Sequence, residues 1–147
     1  MPTILIATDG SPEAQEAVEY GIGLAAAKHA RAVLLQVVPP VDWTRLDRGS
    51  AVKPLPDQIR MRAARTLEEA VVSAAKHGVE VTPDIVAGEP ADEIVAYADS
   101  IDADVTVLGS RCRGALAGAL LGSVSRAVLR ESRRPVLVVP SRRVQAA

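Results

Sequence analysis

Apolar residues follow two different patterns along this chain, and the two patterns alternate. Short, nearly continuous runs rich in Val, Leu and Ile occupy residues 4–8, 32–38, 105–108 and 135–140, and a more mixed segment at roughly 80–87 is predicted as a further strand. Such runs are typical of strands that are buried on both faces. Between them, apolar residues recur every three or four positions, which predicts helices that begin at residues 12, about 58, 90 and 124. The alternation predicts one α/β domain, a doubly wound, five-stranded parallel sheet with four helices on its two faces.

Residues with special backbone preferences mark the ends of several elements. Ser11 can cap the first helix with Pro12 at its first position, and Gly78 is expected to end the second helix near His77. Residues 39–57 carry four prolines and no clear period, which is typical of a long functional or mobile connection. The sequence does not show the strand order. With the order 3-2-1-4-5, strands one and four flank the point where the order reverses, and ligands bind there at the carboxyl ends of the strands.

Length and composition fit one cytoplasmic domain. The chain has 147 residues, of which 48% are apolar, and this is enough for a sizeable core. We assign residues 1–140 to the domain and residues 141–147 to a polar tail. The single cysteine excludes a disulfide within the chain, and we find neither a leader segment nor an apolar run of membrane-spanning length. A cytoplasmic location without a membrane partner is therefore expected.

Charge is unevenly distributed, although the formal net charge is only −1. Residues 105–147 hold eight arginines against Glu131, a balance of +7, which leaves 9 basic and 17 acidic residues, a balance of −8, for the rest. The asymmetry suggests an anion site in the basic part; the alternative is that most of these arginines are solvated. A nucleic acid partner is not expected, because the chain has no broad basic face and few aromatic residues for base stacking.

The connection after the fourth strand has the composition of a phosphate-binding loop. Its small and basic residues are Gly109, Arg111, Arg113, Gly114, Gly118, Gly122 and Ser123. A strand that leads through such a loop into a helix presents backbone N–H groups and the positive end of the helix dipole to an anion. The alternative is that the glycines serve only turns and close packing. The segment is not a P-loop, because it lacks the Gly-x4-Gly-Lys-Ser/Thr pattern.

Three further positions each allow two interpretations. Asp9, at the end of strand one, can hold a ribose hydroxyl or a metal-bound phosphate, or it can bind local backbone N–H groups in a turn. The pattern Gly21-x-Gly23-x-x-Ala26 superficially matches a dinucleotide fingerprint, but it lies inside the first helix, where close packing on the sheet is favoured. Cys112 lies between two arginines. Positive neighbours favour a reactive thiolate, so a redox role is a hypothesis beside that of a small loop side chain.

Other titratable residues do not indicate catalysis. Asp102 and Asp104 flank the start of strand four, away from the carboxyl ends, where capping or solvation is the favoured interpretation. His29 and His77 lie near helix ends, and neither has partners in the sequence for a metal site or a catalytic triad. Whether the protein is an enzyme stays open, because these residues include no convincing general base other than Asp9.

Several motifs together resemble the universal stress protein family. The nucleotide motif of that family is Gly-x2-Gly-x9-Gly-Ser/Thr after strand four. Gly109, Gly122 and Ser123 match this motif in spacing, whereas Cys112 stands where the second glycine belongs. The resemblance extends from about residue 4 to residue 140, and its further similarities lie at residues 7–11, 88–94, 104–111 and 135–140.

The resemblance implies an adenine-nucleotide α-hydrolase-like fold and a dimeric, cytoplasmic stress-response protein. One branch of the family binds ATP and another does not. In the ATP-binding branch, the counterpart of Asp9 meets the ribose and the backbone near Val37 meets adenine. The resemblance thus assigns to the nucleotide site Ala7, Thr8, Asp9, Val37, Leu108, Gly109, Arg111, Cys112, Gly122, Ser123, Val124 and Ser125. The last strand commonly pairs across the dimer, which would place in the interface Val136, Leu137, Val138 and Val139.

The leading hypothesis is an ATP-binding stress-response or regulatory protein with little or no catalysis. ATP would bind with or without Mg²⁺, AMP and cyclic AMP fit the same chemistry, and no metal site made by the protein alone is expected. The alternatives are a dimeric interaction protein without nucleotide and a slow ATP hydrolase. If the position of Cys112 requires positive φ or the closest approach of the backbone to phosphate, a cysteine there weakens binding. We therefore expect weakened but retained ATP binding.

Overall fold

The computed structural model describes residues 1–38, 40, 57–110 and 121–141. Nearly all of the proline-rich connection, the greater part of the glycine-rich connection and the tail after residue 141 lie outside the described residues. Arg111 and Cys112 are among the residues outside them, so the expectations for both stay predictions.

Strands and α-helices alternate along the described chain: β1 (Thr3–Thr8), α1 (Gln15–Lys28), β2 (Arg31–Val38), α2 (Asp57–Ala75), β3 (Val81–Ala87), α3 (Pro90–Ser100), β4 (Val105–Gly109), α4 (Ser123–Glu131) and β5 (Val136–Val139). The strands form one sheet in the order β3-β2-β1-β4-β5. All neighbouring strands in it are parallel. The doubly wound sheet and the strand order 3-2-1-4-5 are therefore confirmed, and the order reverses between β1 and β4.

The core lies on both faces of the sheet, and β1 contributes to both. Ile4 and Ile6 belong to the cluster that includes residues of α1 and α2, whereas Leu5 and Ala7 belong to the cluster that includes residues of α3 and α4. Because successive side chains of a strand point to opposite faces, a continuous apolar run is what a strand covered on both sides requires. This central strand gives its last residue, Thr8, and the following Asp9 a rigid support.

The start of the first helix differs from the prediction. Ser11 lies at the N-terminal cap position, but its hydroxyl donates to Oδ1 of Asp9 and makes no capping hydrogen bond. The hydrogen bond to this carboxylate is charge-assisted, and it turns the Ser11 side chain towards Asp9. Pro12–Ala14 form a single 3-10 turn before α1 begins. The prediction for Gly78 is confirmed in substance, because this residue has φ +73 in the turn that follows α2.

Acidic residues at the amino ends of the strands have structural partners. Oδ2 of Asp104 accepts a hydrogen bond from the N–H of Thr3 at 2.7 Å. The guanidinium of Arg134 donates to Oδ1 of Asp99 at 2.9 Å, to Oδ1 of Asp102 at 3.0 Å and to the carbonyl of Ala103 at 3.0 Å. The contacts of Arg134 join the end of α3 to the residues before β5. Both Asp102 and Asp104 lie away from the cavity, but each has a specific partner, which the capping or solvation favoured by the sequence did not include. Within the described ranges, no helix is both long and apolar enough to span a membrane.

Candidate functional site

A cavity of about 400 Å³ opens at the carboxyl ends of β1, β2 and β4. It includes the point where the strand order reverses and extends from there towards β2 and α2. Its volume lies within the range of about 300–1,000 Å³ that is usual for small-molecule sites. The cavity therefore has the position and the size of a ligand site in an open α/β sheet.

Most of the predicted site residues line this cavity. They come from four separate parts of the chain and are Ala7, Thr8, Asp9, Val37, Leu108, Gly109, Gly122, Val124 and Ser125. Ser123 is the first residue of α4, but it is exposed and does not line the cavity. The structure thus brings together the ends of β1 and β4 and the start of α4, as the sequence suggested.

Several other residues line the cavity that sequence reasoning did not single out. They are Ala14, Gln36, Val38, Ile59, Arg62, Ala63, Pro90 and Ile94. Ile59, Arg62 and Ala63 lie in the first turns of α2, so this helix forms part of the wall beside β2. Only Gln36 carried a signal in the sequence, because it is the one polar residue in the apolar run of β2. The positions on α2 have no such signal.

Asp9 is held at the mouth of the cavity by a compact turn. Its Oδ1 accepts hydrogen bonds from both the N–H, at 2.9 Å, and the hydroxyl of Ser11. The N–H of Gly10 donates to Oγ1 of Thr8 at 3.0 Å, and Gly10 has φ +79, which favours glycine. The local role that the sequence allowed for Asp9 is therefore present. Asp9 also lines the cavity, so the turn and the cavity share this residue.

The N-terminus of α4 faces the same cavity and is firmly anchored. The N–H of Gly122 donates to the carbonyl of Ser110 at 2.6 Å, and the N–H of Ser110 donates to the carbonyl of Val139 at 2.9 Å. The hydroxyl of Ser125, a residue that is 2% exposed, lies 3.1 Å from the carbonyl oxygen of Ser110 and 3.2 Å from that of Gly122. These bonds join the two ends of the glycine-rich connection to each other and to β5.

The backbone at this helix start suits an anion. The first hydrogen bond of α4 runs from the N–H of Arg126 to the carbonyl of Gly122 at 3.1 Å. The N–H groups of residues 123–125 therefore precede the first intrahelical donor, as at every helix start. Gly122 offers no side-chain acceptor for them, so an anionic oxygen can approach the positive end of the helix dipole.

Charged side chains at the cavity are few among the described residues: Asp9 on one side and Arg62 on the other. No group of three or more His, Cys, Asp or Glu residues in the described ranges could hold a metal ion. The cavity is otherwise lined mainly by small and aliphatic residues, so it offers a few directed polar contacts between apolar walls. This arrangement suits a ligand with an apolar part and an anionic end.

Comparison with known proteins places the chain in a family. The sequence model of the Universal stress protein family matches residues 1–140. A universal stress protein of Methanocaldococcus jannaschii is 30% identical over 136 residues, which are 92% of this chain and 80% of that protein. Three mycobacterial universal stress proteins are 29% identical, and the chain spans 47% of their length.

Solved structures agree with this assignment. A universal stress protein in complex with cAMP has a TM-score of 0.72 and 29% identity, with coverage of 95% of this chain and 97% of that chain. The universal stress protein from Archaeoglobus fulgidus in complex with dAMP has a TM-score of 0.69 and 26% identity, with coverage of 94% of this chain and 96% of that chain. The sequence and the fold of this chain together show that it belongs to the universal stress protein family.

Proposed function

We propose that this protein binds an adenine nucleotide in the cavity at the carboxyl ends of the strands and acts as a stress-response regulator with little or no catalysis. The observation that carries the proposal is that one cavity brings Asp9, Gly109 and Gly122 together from separate segments beside the start of α4. The complexes of similar family members with cAMP and dAMP support it.

The chemistry of the cavity suggests how the nucleotide lies. Phosphate oxygens are hydrogen-bond acceptors, so they are placed at the N–H groups that begin α4. A carboxylate is an acceptor only, so Asp9 is placed at a ribose hydroxyl, which can donate. The base then extends towards β2 and α2, where Val37, Ile59 and Ile94 provide apolar walls.

ATP is the nucleotide that we propose, with AMP and cyclic AMP as alternative ligands of the same cavity. Any Mg²⁺ would arrive with the triphosphate, because the described residues offer no cluster of metal ligands. The glycine-rich connection, with Arg111 and Cys112, would surround the outer phosphates. On this proposal, a cysteine at the second motif position weakens the binding of ATP more than the binding of AMP, because AMP lacks the outer phosphates.

We also propose a cytoplasmic homodimer that forms through β5. This strand is the outermost one in the sheet beside β4, and its residues Val136–Val139 are only half-buried. An edge strand presents unpaired backbone groups, and pairing with a second copy would satisfy them. Sedimentation equilibrium should give the mass of two chains, and the mass of one chain at every accessible concentration would contradict this proposal.

Calorimetric titration tests nucleotide binding. Nucleotide-free protein should release saturable heat with AMP, cyclic AMP and ATP with Mg²⁺. Adenosine should bind about fivefold more weakly to Asp9→Asn, because a neutral acceptor replaces a charged one at a cost of about 1 kcal/mol. Adenosine is used because it carries no phosphate charge. Asp99→Asn, an equal charge change at the opposite edge, should not change the affinity. Absence of heat with every nucleotide would overturn the proposal in favour of a dimeric interaction protein without ligand.

A further inference from the structure

Gln36 is a polar side chain in an otherwise apolar and buried part of β2. Its neighbours along the strand, Leu34, Leu35, Val37 and Val38, are all buried, and Gln36 itself is only 8% exposed. Gln36 is also one of the residues that line the cavity. A buried amide needs hydrogen-bond partners from the protein, from ordered water or from a ligand.

The protein satisfies only one end of this amide. Nε2 of Gln36 lies 3.5 Å from the carbonyl oxygen of Asp9, a distance at the long limit for a hydrogen bond. Oε1 is buried and has no hydrogen-bond partner within the part of the chain that the structure describes. The reverse orientation of the amide would place Oε1 against the carbonyl oxygen of Asp9, which is also an acceptor. The unused group is therefore an acceptor, and it needs a donor.

Gly10 links this amide to the turn that carries Asp9. A Cβ on Gly10 would lie 3.0 Å from Nε2 of Gln36, closer than ordinary van der Waals contact. The backbone of the turn thus passes directly over the amide. Oε1 is out of contact with solvent, so the amide must turn slightly about its last torsion to meet a ligand. That torsion is soft, and the long contact to Asp9 opposes the movement weakly.

We propose that Gln36 is a specificity-determining residue whose amide oxygen accepts a hydrogen bond from the nucleoside part of the bound nucleotide. This inference rests on the proposed nucleotide-binding function. Ionised phosphate oxygens cannot donate, so Oε1 does not pair with them. The donors of an adenine nucleotide are the exocyclic amino group of the base and the ribose hydroxyls. An acceptor that is unmet in the free protein and met in the complex favours ligands that carry such a donor.

Two substitutions separate this role from a structural one. Gln36→Met keeps the length of the side chain and removes the unmet acceptor Oε1 together with Nε2, which makes only the long contact to Asp9. Thr106→Val removes Oγ1 of a residue outside the cavity wall, which is the other buried side-chain polar atom without a partner among the described residues. Without nucleotide, Thr106→Val should be at least as stable as the wild type in urea, and Gln36→Met should lose at most the weak Nε2 contact. The affinity for AMP should fall about threefold to tenfold in Gln36→Met and stay unchanged in Thr106→Val.

Nucleotide analogues identify the donor. If it is the amino group, wild-type protein binds inosine monophosphate more weakly than AMP, and Gln36→Met binds the two equally. If the donor is the 2′-hydroxyl, wild-type protein binds 2′-deoxy-AMP more weakly than AMP, and Gln36→Met binds these two equally. Equal AMP affinity in the wild type and Gln36→Met would overturn this inference alone, as would an equal loss of AMP affinity in Gln36→Met and Thr106→Val. Wild-type protein that binds no adenine nucleotide would overturn the proposed function and this inference with it.

Discussion

Alanine substitutions at Gly21 and Gly23 should differ clearly in their effect on stability, although the two residues lie two positions apart in α1. A Cβ on Gly21 would lie 2.6 Å from Cγ1 and 2.7 Å from Cδ1 of Ile6. Ile6 is 0% exposed in the central strand, so its side chain has no free space to enter. Among the described residues, no atom outside the backbone of α1 and the two chain neighbours lies within 4 Å of a Cβ on Gly23.

The two variants share one energetic contribution and differ in the other. Replacing glycine with alanine inside a helix stabilises it by about 1 kcal/mol at either position. At Gly21 the added methyl group overpacks the contact with Ile6 at a cost of about 1–3 kcal/mol, because the β-branched side chain of Ile6 is stiff. Gly23→Ala should therefore raise the melting temperature by about 2–4 °C, whereas Gly21→Ala should be neutral or destabilising by up to about 2 kcal/mol.

Urea unfolding of both variants measures this contrast. The difference between their free energies of unfolding, about 1–3 kcal/mol, reports the packing cost because the helix propensity cancels. Neither variant should change nucleotide affinity, since neither residue lines the cavity. Equal stabilisation by both variants would refute the packing argument. Loss of nucleotide affinity in Gly21→Ala at unchanged stability would instead support the dinucleotide fingerprint.

Two further predictions concern α3 and its surroundings. Gly88 has φ +155, and a Cβ on it would lie 2.6 Å from Oε1 of Glu93, so Gly88→Ala should lower the free energy of unfolding in urea by about 1–3 kcal/mol. An unchanged value would show that the backbone there is free to relax. Burial, followed by the hydrogen bond to Asp84, raises the pKa of Tyr97 to about 12. In a Tyr20→Phe variant Tyr97 is the remaining tyrosine, so an absorbance titration should have its midpoint near pH 12, and a midpoint near 10 in folded protein would contradict this prediction. Because the pKa in the folded protein is raised above the unfolded value of about 10, the contribution of Tyr97 to stability is complete below pH 10 and is lost as the pH rises to about 12.

The fold and one side of the cavity could be predicted from the sequence because they depend on local patterns. Apolar runs and their breaks located the strands, and Asp9 and Gly109 follow strands whose carboxyl ends must share one edge of a parallel sheet. The contribution of α2 could not be predicted in this way. Ile59 and Arg62 are exposed positions, and whether they overhang the strand ends depends on how α2 packs on the sheet.

Local hydrogen-bond competition was also beyond the sequence patterns. A serine before a proline at a helix start predicts a cap, yet the hydroxyl of Ser11 donates to Asp9. The orientation of the Ser11 side chain depends on where the end of β1 places the carboxylate of Asp9, and that position is a property of the folded sheet. The partly satisfied amide of Gln36 likewise appears only when β2 lies beside the turn after β1.

The most direct test of the nucleotide site is to follow the backbone amide resonances of isotope-labelled protein during titration with AMP. We expect saturable chemical-shift changes that are largest at Asp9, Val37 and residues 123–125, with no change at Thr3 and Asp104 at the opposite edge of the sheet. Saturable shifts confined to that opposite edge, or no shifts at any AMP concentration, would contradict this expectation.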